Sequence, residues 1–183
     1  MSSSPSLSTS LNANPSIFIE GGSIHVDGEG TLLTTRMCLL SAGRNPHMTK
    51  QEIESRLCEY LGVTKVLWLR DGIDPDETNG HIDDVACFVA PGEVACAYTD
   101  NPKHPFYDAL QKAYTDLCGM TDAKGRPLKV HKICCPEETV RIGEFNISAV
   151  NGSKARNEGD ICIASYINFL IVNGGVIVPQ YGD

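Results

Sequence analysis

Three short stretches of this 183-residue chain carry residue types whose spacing suits chemistry. In Asn79-Gly80-His81-Ile82-Asp83-Asp84 a histidine stands two places before an acid. At the start of a strand two such side chains share one face of the sheet. An imidazole held by a carboxylate keeps one tautomer, which suits proton transfer. A loop-to-strand junction with solvated acids accounts for the same residues. In Ile19-Glu20-Gly21-Gly22-Ser23 a glutamate precedes two glycines, which permit close backbone approach or a positive φ. A turn with a solvated glutamate is the alternative there. The third stretch is Ala164-Ser165-Tyr166-Ile167-Asn168-Phe169 ahead of Asn173-Gly174-Gly175. Ser165 and Asn168 offer polar atoms to a substrate, or simply pack around a hairpin.

Several other chemistries lack their residues. Eight cysteines are scattered without a C-x-x-C pair, which gives no support to a zinc or thioredoxin-like site. His131, Cys134 and Cys135 put ligand types on one strand, and two or three ligands there rarely complete a metal site. No metal and no cofactor is expected. A G-x-S-x-G elbow is absent, and Gly28-Glu29-Gly30 lacks the third glycine and the helix of a phosphate-binding loop. The formal net charge of −8 argues against a nucleic-acid partner, and no polybasic run favours an anionic membrane. No apolar run approaches the roughly 20 residues of a spanning helix, and no signal-peptide h-region is present. Thiols in that setting read as reduced, buried and cytoplasmic.

The elements that must position these residues recur along the chain. Residues 1–16 are rich in Ser, Thr, Asn and Pro and are expected to be a disordered leader, with one domain over 17–183. Ser23–Asp27 and Thr31–Thr35 read as strands around a glycine turn. Thr49 and Glu52 are spaced as a capping box, Ile53, Leu57 and Leu61 recur at helical spacing, and Gly62 is a C-cap before the strand Val63–Leu69. The order repeats: strands His81–Val89 and Val94–Thr99 about Pro91-Gly92, a helix Pro105–Cys118 with Pro in its first turn, and a strand Leu128–Ile133. Its apolar side is Phe106, Leu110, Tyr114 and Leu117. A third round opens with Ile161–Val172, turns at Asn173-Gly174-Gly175 and continues through Val176–Val178. The class is α/β, with two full strand–strand–helix–strand units and the hairpin of a third. Such units bury their faces on neighbours, so an array of this length reads as incomplete.

Read together, IEGGSIHVDGEGTLLTT, NPHMTKQEIE, WLRDGIDPDETNGHIDDVACF, TDAKGRPLKV and SYINFLIVNGGVIVPQYGD resemble the bacterial agmatine deiminases, which are grouped with the Porphyromonas-type peptidyl-arginine deiminases. The resemblance runs from about Ile17 to Asp183. It implies a partial pentein, or α/β-propeller, with about two and a half of five modules. It also implies hydrolysis of the guanidinium of agmatine to N-carbamoylputrescine and ammonia, on the route to putrescine, in the cytoplasm. A cysteine thiolate attacks the guanidinium carbon, and a histidine protonates departing ammonia and then activates water. By motif, His81 matches the acid/base, Asp83 a guanidinium-binding aspartate and Glu20 the active-site glutamate; Asn168 stays a candidate substrate contact from its own stretch alone.

The chain departs from that pattern at three places. The family's R-D-x-G-P aspartate is replaced by the leader, and none of the eight cysteines has the G-G-G-N-I-H-C-I context of the nucleophile. Arg70-Asp71 stands where Pro and a small or basic residue are expected. The expectation is a chain truncated at both ends and inactive alone. Its partner is a small guanidinium cation such as agmatine, with a homo-oligomer or a complementary fragment left open. The alternatives are a non-catalytic guanidinium-binding or interaction module and a peptidyl-arginine deiminase relative.

Overall fold

A computed structural model describes residues 16–73, 78–143 and 157–182. Its first hairpin joins β1 (Ile24–Val26) to β2 (Thr31–Thr35), antiparallel with Ile24 opposite Thr34. The turn between them runs through Gly28 and Gly30 at φ 74° and 100°, a region costly for residues with a Cβ. Asp27 closes it, its carboxylate accepting the backbone N–H of Glu29 and of Thr31 at 2.7 and 2.8 Å. A short helix, α1 (Arg36–Leu39), follows because the Thr35 hydroxyl accepts from Cys38 N and caps it. The sequence pattern did not anticipate it. Helix α2 (Lys50–Leu61) then carries the chain to β3 (Lys65–Leu69), which lies parallel to β2. The Thr49–Glu52 capping box and the left-handed Gly62 form as expected. Ile53 and Leu57 are fully buried, whereas Leu61 is 41% exposed, since the last residue of the helix has passed beyond the sheet.

The same order returns in β4 (Ala86–Ala90), β5 (Glu93–Tyr98), α3 (Tyr107–Cys118) and β6 (Lys129–Cys134), antiparallel and then parallel. Gly92 turns at φ 77° after Pro91. Leu110, Ala113 and Leu117 form the buried stripe of α3, with Phe106 and Tyr114 partly buried beside it. Pro105 precedes the helix rather than lying in its first turn. The third hairpin is β7 (Leu170–Val172) with β8 (Gly175–Ile177) around Asn173 and Gly174. All six of its residues are exposed.

Alternation along β2 explains how the units stack. Leu32 packs with Leu39, Ile53, Leu57 and Trp68 under α2, while Leu33 faces the other way. It joins Leu67, Leu69, Ile82, Val94 and Leu110 in the cluster shared with the second unit. Because one side chain goes to each face, every residue of β2 is buried.

Three expected strands are shorter than the pattern suggested. Gly21–Ser23 is a 3-10 turn, so the first strand begins at Ile24. Ile82–Asp84 is another, so the strand expected from His81 begins at Ala86. Its cause lies just upstream, where Asn79 and Gly80 at φ 54° and 71° swing the chain round and drive Ile82 into the core. Of Ile161–Val172 only the last three residues pair as a strand; Ile161 makes a lone bridge to Arg141. Residues 161–169 are apolar because Ile163, Ile167 and Phe169 pack on the core. Residues 1–15 of the expected leader lie outside the described residues, as do Asp76 and Glu77. All eight cysteines are free thiols, and Cys118 and Cys134 are exposed rather than buried. Among the described residues no helix is long and apolar enough to cross a membrane.

Candidate active site

The two 3-10 turns lie against each other, and just before each stands a candidate site residue. Glu20 precedes the first in extended conformation, φ −112° and ψ 152°. Ser23 fixes the turn behind it, its hydroxyl donating to Glu20 O at 2.6 Å and accepting from Glu20 N at 3.1 Å. This occupies the backbone of Glu20 and leaves its carboxylate to project. His81 precedes the second turn at ψ 147°. Its loop is tied to β2 by the Thr35 hydroxyl, which donates to Gly80 O at 2.7 Å.

The side chains converge. His81 Nε2 lies 2.6 Å from Glu20 Oε2, and His81 Nδ1 lies 4.0 Å from Asp83 Oδ1. An ionised carboxylate only accepts, so in the neutral ring the short Nε2 contact favours the proton on that nitrogen, over the longer 3.5 Å approach of Arg44 Nη2, with Nδ1 toward Asp83. Asp83 Oδ1 is buried and has no hydrogen-bond partner among the described residues. Burial pushes the Asp83 carboxyl above its ordinary range, against the opposing pull of His81 and of the backbone N–H groups of Asp83 and Asp84. These groups pack directly on the backbone of Gly22, an approach that only glycine allows. A Cβ there would lie 2.7 Å from His81 Nδ1 and overlap the Asp83 carboxylate.

Sequence reasoning missed one member, Arg44, whose side chain is 6% exposed. Its Nε and Nη2 both reach Glu20 Oε2, at 2.7 and 2.6 Å. Nη1 donates to Asn79 Oδ1 at 2.8 Å and Nη2 to Thr78 O at 2.9 Å. Asn45 anchors this loop, accepting from Phe18 N and donating to Phe18 O and Leu39 O. A lone arginine in a loop reads as solvated, and nothing local in the sequence marks its burial. Burial alone would push the Glu20 carboxyl up, but hydrogen bonds from His81 and Arg44 outweigh it and hold the group below its ordinary range.

The remaining candidates fall elsewhere. Asn168 donates to Asp84 Oδ1 at 3.3 Å, and the Ser165 hydroxyl to Asp84 O at 2.8 Å, so both brace the second turn from behind. His131 pairs with Glu93, and Arg70 makes a two-pronged surface contact with Asp116. Cys38 does approach the site: its Sγ, a Glu20 oxygen and a His81 nitrogen lie within 4.8 Å of one another. That thiol is fully buried, and burial first, then the negative Glu20 and Asp83, push it up to about 11 despite Arg44. It stays protonated at neutral pH. The Arg44 guanidinium on the same carboxylate is also the wrong sign to share this cluster with a metal ion.

What remains is a fixed imidazole with one nitrogen available and an unpaired carboxylate oxygen beside it. The pair can seat a cationic, multiply donating group on the acid while exchanging a proton through the ring.

The family model for Porphyromonas-type peptidyl-arginine deiminase matches residues 4–183. An agmatine deiminase of Pseudomonas fluorescens is 50% identical over 167 residues, 90% of this chain and 45% of that protein. The solved agmatine deiminase of Enterococcus faecalis superposes with a TM-score of 0.86 at 68% identity, over 89% of this chain and 45% of that one. A C. jejuni agmatine deiminase with substrate bound superposes at 0.70 with 29% identity, over 90% of this chain and 43% of that one. The chain spans about half the length of the curated relatives it matches.

Proposed function

The chain belongs to the Porphyromonas-type peptidyl-arginine deiminase family, and from that membership we propose that Glu20, His81 and Asp83 serve an agmatine deiminase site. The reaction is agmatine and water to N-carbamoylputrescine and ammonia. One observation carries the reading: a buried, unpartnered Asp83 oxygen stands 4.0 Å from the available nitrogen of a histidine already fixed by Glu20. A guanidinium is planar, permanently charged and rich in N–H donors, so it satisfies that oxygen where a single ammonium cannot span both groups. Likeness to agmatine deiminases favours agmatine over a peptidyl-arginine.

The family resemblance implies the chemistry. A thiol passes its proton to His81 Nδ1 as its sulfur adds to the guanidinium carbon, the C–N bond to the departing nitrogen breaks, and the imidazolium gives that proton up to make ammonia. Neutral His81 then takes a proton from water as its oxygen attacks the same carbon, and the thiolate leaves. Cys38, the thiol nearest His81 in the described site, is buried and protonated, so it does not supply the nucleophile. The reading therefore assigns to these residues the guanidinium seat and the proton transfers. The repeated units support a further part of it, that they are modules of a pentein ring. The uncovered apolar hairpin β7–β8 is consistent with a module that meets another.

Titration of the chain with agmatine, followed by the His81 ring resonances, tests this. A single charge-assisted seat predicts saturable binding in about the millimolar range. Putrescine, which lacks the guanidinium, should leave the resonances in place, as should agmatine with Asp83→Asn. No ureido product should accumulate from the chain alone. Equal responses to putrescine and agmatine, or an undiminished response in Asp83→Asn, would overturn the reading.

A further inference from the structure

We propose that Arg44 is the positioning residue of this site: it clamps Glu20 against His81, so that the ring carries its proton on Nε2 and presents Nδ1 to Asp83. The proposal rests on the reading of His81 as the acid/base. Arg44 joins three segments here: its own loop, the strand entrance at Glu20 and the loop that carries His81. Two of its nitrogens meet on Glu20 Oε2, the same oxygen that His81 Nε2 contacts at 2.6 Å. Nη1 reaches Asn79 Oδ1, and Nη2 also reaches Thr78 O and lies 3.5 Å from His81 Nε2, all in the loop that carries His81. The carboxylate of the first unit and the histidine loop of the second are thus set at one distance by a single rigid fork.

Glu20 needs such a clamp. Its side chain is 37% exposed, so solvent lies open on one side of it. A carboxylate free to swing there would release His81 and compete with Asp83 for a bound guanidinium. With Arg44 seated, Glu20 is committed to the ring and Asp83 is left as the seat. A lysine cannot substitute, because one ammonium cannot reach Glu20, Asn79 and Thr78 in a fixed fork.

The test reads the tautomer, which requires no turnover. In long-range 1H–15N spectra of the full chain at a pH where the ring is neutral, wild type should show His81 almost wholly as the Nε2–H form. In Arg44→Met the ratio of Nε2–H to Nδ1–H should fall about tenfold, the weight of one charge-assisted hydrogen bond. Arg44→Lys keeps the charge and preserves the fold where the methionine variant does not; its ratio should fall in the same direction by a smaller factor. A wild-type tautomer ratio in the folded lysine variant, or in a folded methionine variant, would overturn the proposal. The functional reading is judged separately, by whether Asp83→Asn abolishes the agmatine response. Either claim can therefore fail while the other stands.

Discussion

Replacing Asp83 with asparagine should stabilise the chain while removing its guanidinium seat. In the folded state Oδ1 is buried without a donor, and burial raises the carboxyl above its ordinary range. A group whose folded pKa is raised binds its proton more tightly in the native state than in the unfolded one. Its favourable contribution is present at acid pH and is lost as pH rises through the folded pKa. At neutral pH the ionised carboxylate is thus a net cost. An unsatisfied buried polar group costs roughly 1–3 kcal/mol, and the asparagine amide keeps part of that penalty, so a gain of about 1–2 kcal/mol is expected. At about 2–4 °C per kcal/mol for a protein of this size, Tm should rise by roughly 2–8 °C. Thermal unfolding followed by circular dichroism at pH 7.5 and again near pH 4 measures both parts. The variant should be the more stable at pH 7.5, and the gap should narrow as acid protonates Asp83 in the wild type. A variant less stable than wild type at pH 7.5, or a gap unchanged at pH 4, would refute the claim that Asp83 Oδ1 is buried without a donor.

Gly22→Ala should silence agmatine binding and cost about 1–3 kcal/mol, because its Cβ enters the space of His81 Nδ1 and the Asp83 carboxylate; a calorimetric titration together with a denaturant curve reports both. His25 accepts from Phe88 N at 3.2 Å, and burial depresses its pKa. Its stabilising contribution is therefore present above the unfolded value of about 6.5 and is lost as pH falls toward the folded value. His25→Gln should flatten the stability profile below pH 6.5 in the same denaturant experiment. Leu170 and Ile177 are 60% and 61% exposed on paired strands. Exchanging both for threonine should lower the binding of a hydrophobic dye and raise the concentration at which the chain self-associates, as read by light scattering.

What the sequence makes legible is local. The ends of α2 are written in Thr49, Glu52 and Gly62, and its buried face in Ile53 and Leu57, all within a few residues of each other. His81 and Asp83 stand near each other, with Glu20 on the ring, but by a different local route from the one the pattern suggests. A strand beginning at His81 would have put His81 and Asp83 on one face by its two-residue period. They meet instead across a 3-10 turn set by the positive φ of Asn79 and Gly80. The apolar run from Ile161 suggested a long strand, yet its side chains are used for packing on the core rather than for pairing. Arg44 could not be read at all, since its partners stand 24, 34 and 35 residues away and none leaves a mark near position 44.

The repeat itself explains where the chemistry falls. Each unit enters its first strand through a tight turn, and the residue ahead of that turn projects toward the neighbouring unit: Glu20 from the first, His81 from the second. At the corresponding place in the third, Ser165 precedes the turn at Tyr166–Asn168 and bonds back to Asp84 O. A site assembled in this way belongs to no single unit, and its geometry depends on how the units are set against each other. Beside the shared apolar cluster, polar contacts cross between the first two, among them Thr35 to Gly80, Arg44 to Asn79 and Thr78, and Lys65 to Thr121. Polar ties of this kind specify distance and angle more narrowly than apolar contact does, because a hydrogen bond weakens steeply once misaligned. The apolar core holds the units together, and the polar ties decide whether the glutamate of one meets the histidine of the next.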